Sequence, residues 1–239
     1  MQKSQIEWPR LLTEGLVIIA SILLAFIIDA WWDNRQDRAQ EREHLLSMTS
    51  EFEASIVGLE VINQAVTTHA NNVQALIKLL KSVPIGESVV VPSELLGSAI
   101  TWRTSDVSTS TLNALIASGN LNLLQNVELR SKLVGFPAFL LDTTEDEVLV
   151  QHFAEHEMST FLAKQGLAEV AYAFREGIPE NKNVKFDVPA SIEVKHTAEL
   201  VGMLSARLVH FAYSMIGLPR VADYLKELNM QIEQELEAN

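Results

Sequence analysis

The sequence predicts an all-α protein: an N-terminal transmembrane helix that continues into a long stalk helix, followed by an irregular helical bundle. Three observations carry this. An apolar run, "GLVIIASILLAFII", lies near the N-terminus. Behind it, apolar residues recur every three and four positions from Leu45 to Leu80. Outside "ESVVVP" no segment reads convincingly as a strand. The expected division is residues 1–32 as tail and membrane helix and 33–239 as an acidic helical domain. Within the domain the stalk covers about 33–81 and the remaining helices lie within 93–237.

The uncharged run is short for a span, and its flanks lengthen it. From Trp8 to Trp32 a helix rises roughly 36 Å, enough to cross the hydrocarbon core and reach both interfaces. Trp8, Trp31 and Trp32 would sit at those interfaces, where tryptophan prefers to be. Pro9 suits a first turn. A cleaved signal peptide fits less well, because the basic n-region is weak and Ile28-Asp29-Ala30 is a poor cleavage site. A buried core helix would need a solvated face, which "VIIASILLAFII" lacks. A retained single span is therefore the expectation.

Glu14, Ser21 and Ala25 fall within roughly 40° of one line at 100° per residue, with Asp29 about 60° from Glu14. This acidic and small-residue stripe fits a self-association seam. It also fits carboxylates that snorkel to headgroup depth, with Arg10 pairing Glu14. Basic residues flank both ends, Lys3 and Arg10 before the run and Arg35, Arg38 and Arg42 after it. With the amino group counted, the positive-inside rule is nearly tied. A lone N-terminal anchor before a large domain commonly leaves its N-terminus in the cytoplasm, which gives a slight lean to an extracytoplasmic domain in a bacterial inner membrane.

"DNRQDRAQEREHLL" has no glycine or proline and reads as a solvated continuation of the helix. The stripe behind it runs Leu45, Met48, Phe52, Ser55, Leu59, Ile62, Val66, His69, Val73, Leu76 and Leu80. It is either the core face of a bundle helix, the commoner arrangement, or a coiled-coil seam between protomers. Pro84, Gly86 and Pro92 mark a loop, a short helix starts near Ser93, and another spans about Val107 to Ser118. Gly119 suits a helix C-terminus and Asn126 an N-cap, with Glu128 in the first turn. Leu121, Leu123 and Leu124 are expected to bury in the connector between them. Pro137 should kink or end the next helix. A further helix is expected from about Thr144 to Lys164. After the loop "EGIPENKNVKFDVPAS" comes a final pair, striped by Leu200, Leu204, Leu208, Phe211 and Met215, then Val221, Leu225, Leu228, Ile232 and Leu236. Gly217 and Pro219 should break that pair.

Two of these stretches, "IIASILLAFIIDAWWDNRQDR" and "ALIASGNLNLLQNVELRSKL", together resemble an uncharacterised family of bacterial single-span membrane proteins. That family has a Ser-Gly-Asn-Leu connector followed by Asn-x-Glu-Leu-Arg. The resemblance covers about 50 of 239 residues. It implies a membrane-anchored helical protein and brings no activity or catalytic residue with it.

Composition bounds the chemistry. The net charge is −13, and residues beyond 32 hold 16 basic against 28 acidic side chains, which disfavours nucleic acid and anionic lipid as partners of the domain. Cysteine is absent, so thiolate chemistry and disulfides are excluded. His152, Glu155 and His156 match H-x-x-E-H, in which two histidines one helical turn apart share a metal and the glutamate activates its water. The helical wheel puts both histidines opposite Leu149, Val150, Phe153, Ala154, Phe161 and Leu162, on a solvated face with no third ligand evident. Glu41/His44 and Glu193/His196 fit the Glu-x-x-His of di-iron bundles, without the further inward glutamates such a centre needs. His69, on the apolar stripe, reads as a core histidine. No phosphate loop, nucleophile elbow or dinucleotide fingerprint is present. No cofactor or catalytic residue is indicated.

The sequence thus points to a membrane-anchored interaction or assembly module. Its partners would be the bilayer and either a second copy or an unidentified membrane protein. A sensory input domain signalling through its membrane helix is the alternative, and a zinc hydrolase a remote one.

Overall fold

A computed structural model describes residues 8–176 and 186–238, with side chains from residue 12 to 237 of these. The long N-terminal helix, α1, spans Trp8–Leu80 without a break. The stalk is thus the same rod as the apolar segment, because nothing between Gly15 and Gly58 interrupts the helical chain. After a turn at Gly86 (φ 98°), strand β1 covers Ser88–Pro92 and α2 covers Glu94–Ile100. Residues 101–109 are irregular. Helix α3 is therefore shorter than expected and spans Ser110–Ser118. Its N-terminus is capped from another element: Glu51 of α1 accepts from the Thr111 backbone N–H at 3.2 Å and from its hydroxyl at 2.6 Å.

Gly119 ends α3 in the left-handed region, at φ 74°. A 3₁₀ turn, Asn120–Leu123, follows, and Asn126 caps helix α4 by accepting from Glu128 and Leu129 N–H at 3.1 Å. Within this connector Leu124 is fully buried, while Leu121 and Leu123 are half-buried.

Helix α4 spans Val127–His152 and continues through Pro137, which therefore does not end it. A helix-interior proline costs about 3 kcal/mol, and the flanking side chains offset it. Leu133 and Phe136 are buried, and Phe136 and Phe139 both stack on Tyr224. The helix does not restart at Thr144 either. It runs on through a π-turn, Phe153–Met158, into α5, Ser159–Lys164. In a regular helix residues five apart diverge by about 140°. The wider turn lets Phe153 and Met158 both reach the core. Helix α6, Ala168–Ala173, was not foreseen.

Strand β2, Ser191–Lys195, was also missed. It pairs antiparallel with β1, Val90 opposite Glu193. Its "SIEVK" alternates, but five residues carry too weak a period to stand out alone. Helix α7 spans Ala198–Ala238 in one piece, so Gly217 and Pro219 do not divide it. Gly217 serves a close approach instead: a Cβ there would stand 3.1 Å from Thr143 Cγ2 of α4.

Three long helices make the core. Arg42 and Lys226 of α1 and α7 reach Leu236 and Glu60 respectively, so α7 runs antiparallel to α1. Helix α4 runs antiparallel to α7, since Lys132 meets Glu227 and Phe153 stacks on His210. The predicted α1 stripe is the core face of this bundle. Every member from Leu45 to Leu80 is buried except half-buried Ile62. Phe52 meets Phe136 edge-on at 5.9 Å in its middle. On α7, Leu200, Leu204, Phe211, Val221, Leu225, Leu228 and Ile232 complete the core, while Met215 is exposed. Burying each such side chain contributes roughly 1.5–3 kcal/mol.

Candidate functional site

The apolar segment of α1 stands apart from the bundle. From Leu12 to Trp32 every described side chain is exposed except Gly15. Glu14, Ser21, Ala25 and Asp29 are among them, on the same helix faces the sequence places them. Ser21 satisfies its hydroxyl within the helix, donating to the Val17 carbonyl at 2.8 Å. Trp31 and Trp32 are exposed, and the Arg35 guanidinium lies 5.8 Å over Trp31. Trp8 begins the helix, and its side chain lies outside the described residues. By length and composition α1 and α7 are both apolar enough to cross a membrane. They differ in surroundings: α7 carries core residues along its length, and the apolar window of α1 touches no core.

Where the bundle starts, a polar staple fixes its near end to α1. Glu41 is only 1 % exposed. It accepts from Arg38 at 2.9 Å and from the Gln125 backbone N–H at 2.8 Å. Asn126 donates to Glu235 of α7 at 3.0 Å, and Arg42 to the Leu236 carbonyl at 3.2 Å. Arg38 also donates to Gln125. This staple joins three elements within three turns of Trp32. Both carboxylate oxygens of Glu41 are thus engaged in it. His196, of the other Glu-x-x-His pair, bonds the Val83 carbonyl at 2.7 Å.

His152 and His156 are exposed, as the wheel predicts, with rings 4.8 Å apart. Leu149 is not on the buried side: it is 57 % exposed. Glu155 does not join the histidines. The π-turn swings it toward the irregular segment, where it accepts from Trp102 Nε1 at 2.9 Å and from Arg175 at 3.0 Å. Burial raises its carboxyl pKa, but these bonds outweigh that and hold it below the usual range. No group of three metal-ligating side chains forms among the described residues.

The structure also brings together residues that sequence reasoning did not single out. The irregular segment 101–109 is pinned from several sides. Glu147 accepts from the Ser105 N–H at 3.0 Å, and Ser55 from the Ser108 N–H at 3.1 Å. Behind it Arg207, 0 % exposed, donates to the carbonyls of Ala99 (3.0 Å) and Thr101 and lies 4.0 Å over Phe211. Burial pushes its pKa down to about 9, which still leaves it charged at neutral pH. In front lies a cavity of about 280 Å³ with Ile62 and Trp102 as apolar walls and Arg103, Arg175 and Glu176 as charged ones. Arg103 donates to Glu176 at 2.9 Å.

His69 lies next to Glu176, its Nε2 at 3.4 Å from Oε2. It is 4 % exposed, and burial lowers its pKa below the ordinary value. Asn72 donates to Ser98 Oγ at 3.0 Å, and Ser98 Oγ lies 3.2 Å from His69 Nδ1. The Glu176 carboxylate beside Nε2 favours the neutral tautomer that carries its proton there, with Nδ1 accepting from the Ser98 hydroxyl. That N–H points toward Glu176 Oε2 at 3.4 Å, without hydrogen-bond geometry, and has no other partner.

One sequence signal could have found this cluster. Arg207 stands at three-four spacing between Leu204 and Phe211, a cation on a core face. Trp102, Arg103, Arg175 and Glu176 sit in segments with no period to read. No family model, no curated protein and no solved structure matches this chain.

Proposed function

We propose that the chain is a single-pass protein of a bacterial inner membrane, anchored by Leu12–Trp32 and self-associating, whose helical domain is an interaction or assembly module. The observation that carries this is the exposure of the apolar segment on all faces, on the same unbroken helix that forms the bundle core. In water such a surface costs about 25 cal/mol per Å², and a bilayer removes the cost. The resemblance to single-span membrane proteins with a Ser-Gly-Asn-Leu connector supports the same reading, and a lone N-terminal anchor before a large domain commonly leaves that domain outside the cytoplasm.

Two outward stripes favour a protein partner. Val127, Val134, Leu141 and Val148 repeat every seven residues on the solvent face of α4, and all are exposed. Leu46, Val57 and Val61 are exposed on α1. Gentle detergent extraction at native expression, followed by native mass measurement, tests the proposal. An oligomer or a co-purifying membrane protein is expected, and a strict monomer with nothing attached contradicts it. Reporters fused at each end test the side of the domain.

The sensory alternative gains from one observation. Helix α1 supplies Ile62 to the cavity wall and His69 and Asn72 to the adjoining polar cluster, and runs unbroken from there to the apolar segment. A zinc hydrolase is not favoured, since Glu155 is engaged by Trp102 and Arg175.

A further inference from the structure

We infer that the cavity between α1, the 101–109 segment and Arg175–Glu176 is a binding site for a small organic carboxylate with a flat apolar body. Three features meet there. First, two donors, Arg103 and His69, meet at one exposed acceptor, Glu176. The buried His69 Nε2 faces Glu176 Oε2 at 3.4 Å and has no hydrogen-bond partner. Beside the Glu176 carboxylate the favoured neutral tautomer carries its proton on Nε2, with the Ser98 hydroxyl at Nδ1.

Second, the acceptor now lying among these donors is a carboxylate, Glu176. It bonds Arg103 at 2.9 Å and stands 3.4 Å from His69. Yet it is 56 % exposed and belongs to no helix. Its position shows the chemistry the donors select, and its exposure lets it leave at little cost. A ligand carboxylate would take the same place, bidentate on Arg103 with His69 behind it.

Third, the charges balance around that exchange. Arg103, Arg175 and the buried Arg207 face the cluster with Glu155, Asp106 and Glu176. Glu155 is committed to Arg175 and Trp102. With Glu176 withdrawn, the site is left with a surplus positive charge, which an incoming anion neutralises. Ile62 and the Trp102 ring supply the apolar walls for the rest of the ligand. The inference does not rest on the membrane reading, because all these residues lie in the bundle.

Benzoate is the probe, with benzyl alcohol as the neutral control. Full-length protein in lipid nanodiscs is titrated calorimetrically, with empty nanodiscs as blank. Saturable heat is expected for benzoate and none for benzyl alcohol. Arg103→Gln should weaken benzoate at least tenfold. Glu176→Gln should tighten it at least threefold, because the internal competitor loses its charge. That second variant changes an exposed side chain, so it keeps the test open even where Arg103→Gln fails to fold. The inference is overturned by any of three results: no saturable benzoate heat in either wild type or Glu176→Gln, equal affinity for benzyl alcohol, or a Glu176→Gln affinity no tighter than wild type.

Discussion

The two halves of α1 are built from much the same apolar residues and live in different surroundings. From Leu12 to Trp32, leucine, isoleucine and valine occupy all faces, and all of them are exposed. From Leu45 to Leu80 they keep to one stripe, and that stripe is the bundle core. Helix length and hydropathy do not separate these cases, since α7 also passes both tests. Periodicity does: a one-sided stripe asks for a protein neighbour, and an all-round apolar surface asks for lipid. The staple of Arg38, Glu41, Arg42, Gln125 and Asn126 lies where one regime gives way to the other.

The comparison can be broken from either side. The largest effect is expected from Ile22→Arg with Leu23→Asp, two charges costing roughly 2.5–3.5 kcal/mol each at a membrane centre. Membrane association should be lost in flotation assays, while the urea midpoint of the domain stays unchanged. Phe52→Ala should do the reverse. It leaves membrane association intact and costs the domain about 3–5 kcal/mol by opening a cavity beside Phe136. Gly97→Ala comes next, at about 1–3 kcal/mol. Its Cβ would stand 2.3 Å from the Phe174 carbonyl, where α2 and α6 touch. Asn126→Ala removes the cap of α4 and the bond to Glu235, a loss of about 1 kcal/mol in chemical denaturation.

The smallest effect concerns pH. Burial lowers the His69 pKa in the fold, so below its unfolded value of 6.5 the unfolded chain takes up a proton that the native state refuses. Stability should therefore fall as pH drops from 6.5 toward the folded pKa, and His69→Gln should flatten that slope. Glu155 has its carboxyl pKa lowered, so its contribution is lost only below 4.5. Denaturant midpoints taken between pH 7 and 4 separate the two.

Much of the architecture was legible because it rests on period and caps. The all-α class, the core stripe of α1, the Gly119 terminus and the Asn126 cap all follow from local rules that tertiary packing did not override. The misread places are those where packing reversed a local signal. Pro137 and Gly217 look like breaks and sit inside long helices: Tyr224 stacks on Phe136 and Phe139 on either side of the first, and Thr143 closes against the second. Strand β2 needs β1 to exist, and their partnership spans about a hundred residues. The cavity was illegible for a similar reason. Its residues come from α1, the 101–109 segment and the residues that follow α6, and no spacing in the chain relates them. The H-x-x-E-H motif shows the converse, a spacing that the π-turn undoes by turning Glu155 toward Trp102.

The chain has no cysteine, so single cysteines placed along α1 report its surroundings directly. A water-soluble maleimide applied to native membranes, with both compartments opened, is the measurement. Positions from Leu16 to Ile28 should resist labelling on every face. Beyond Gln36 labelling should alternate with the helix, with Ser50, Val57 and Val61 modified and Ser55 and Leu59 protected. A 3.6-residue alternation within 16–28 would contradict the account, because it would give that segment a water-facing side and make it one more bundle helix.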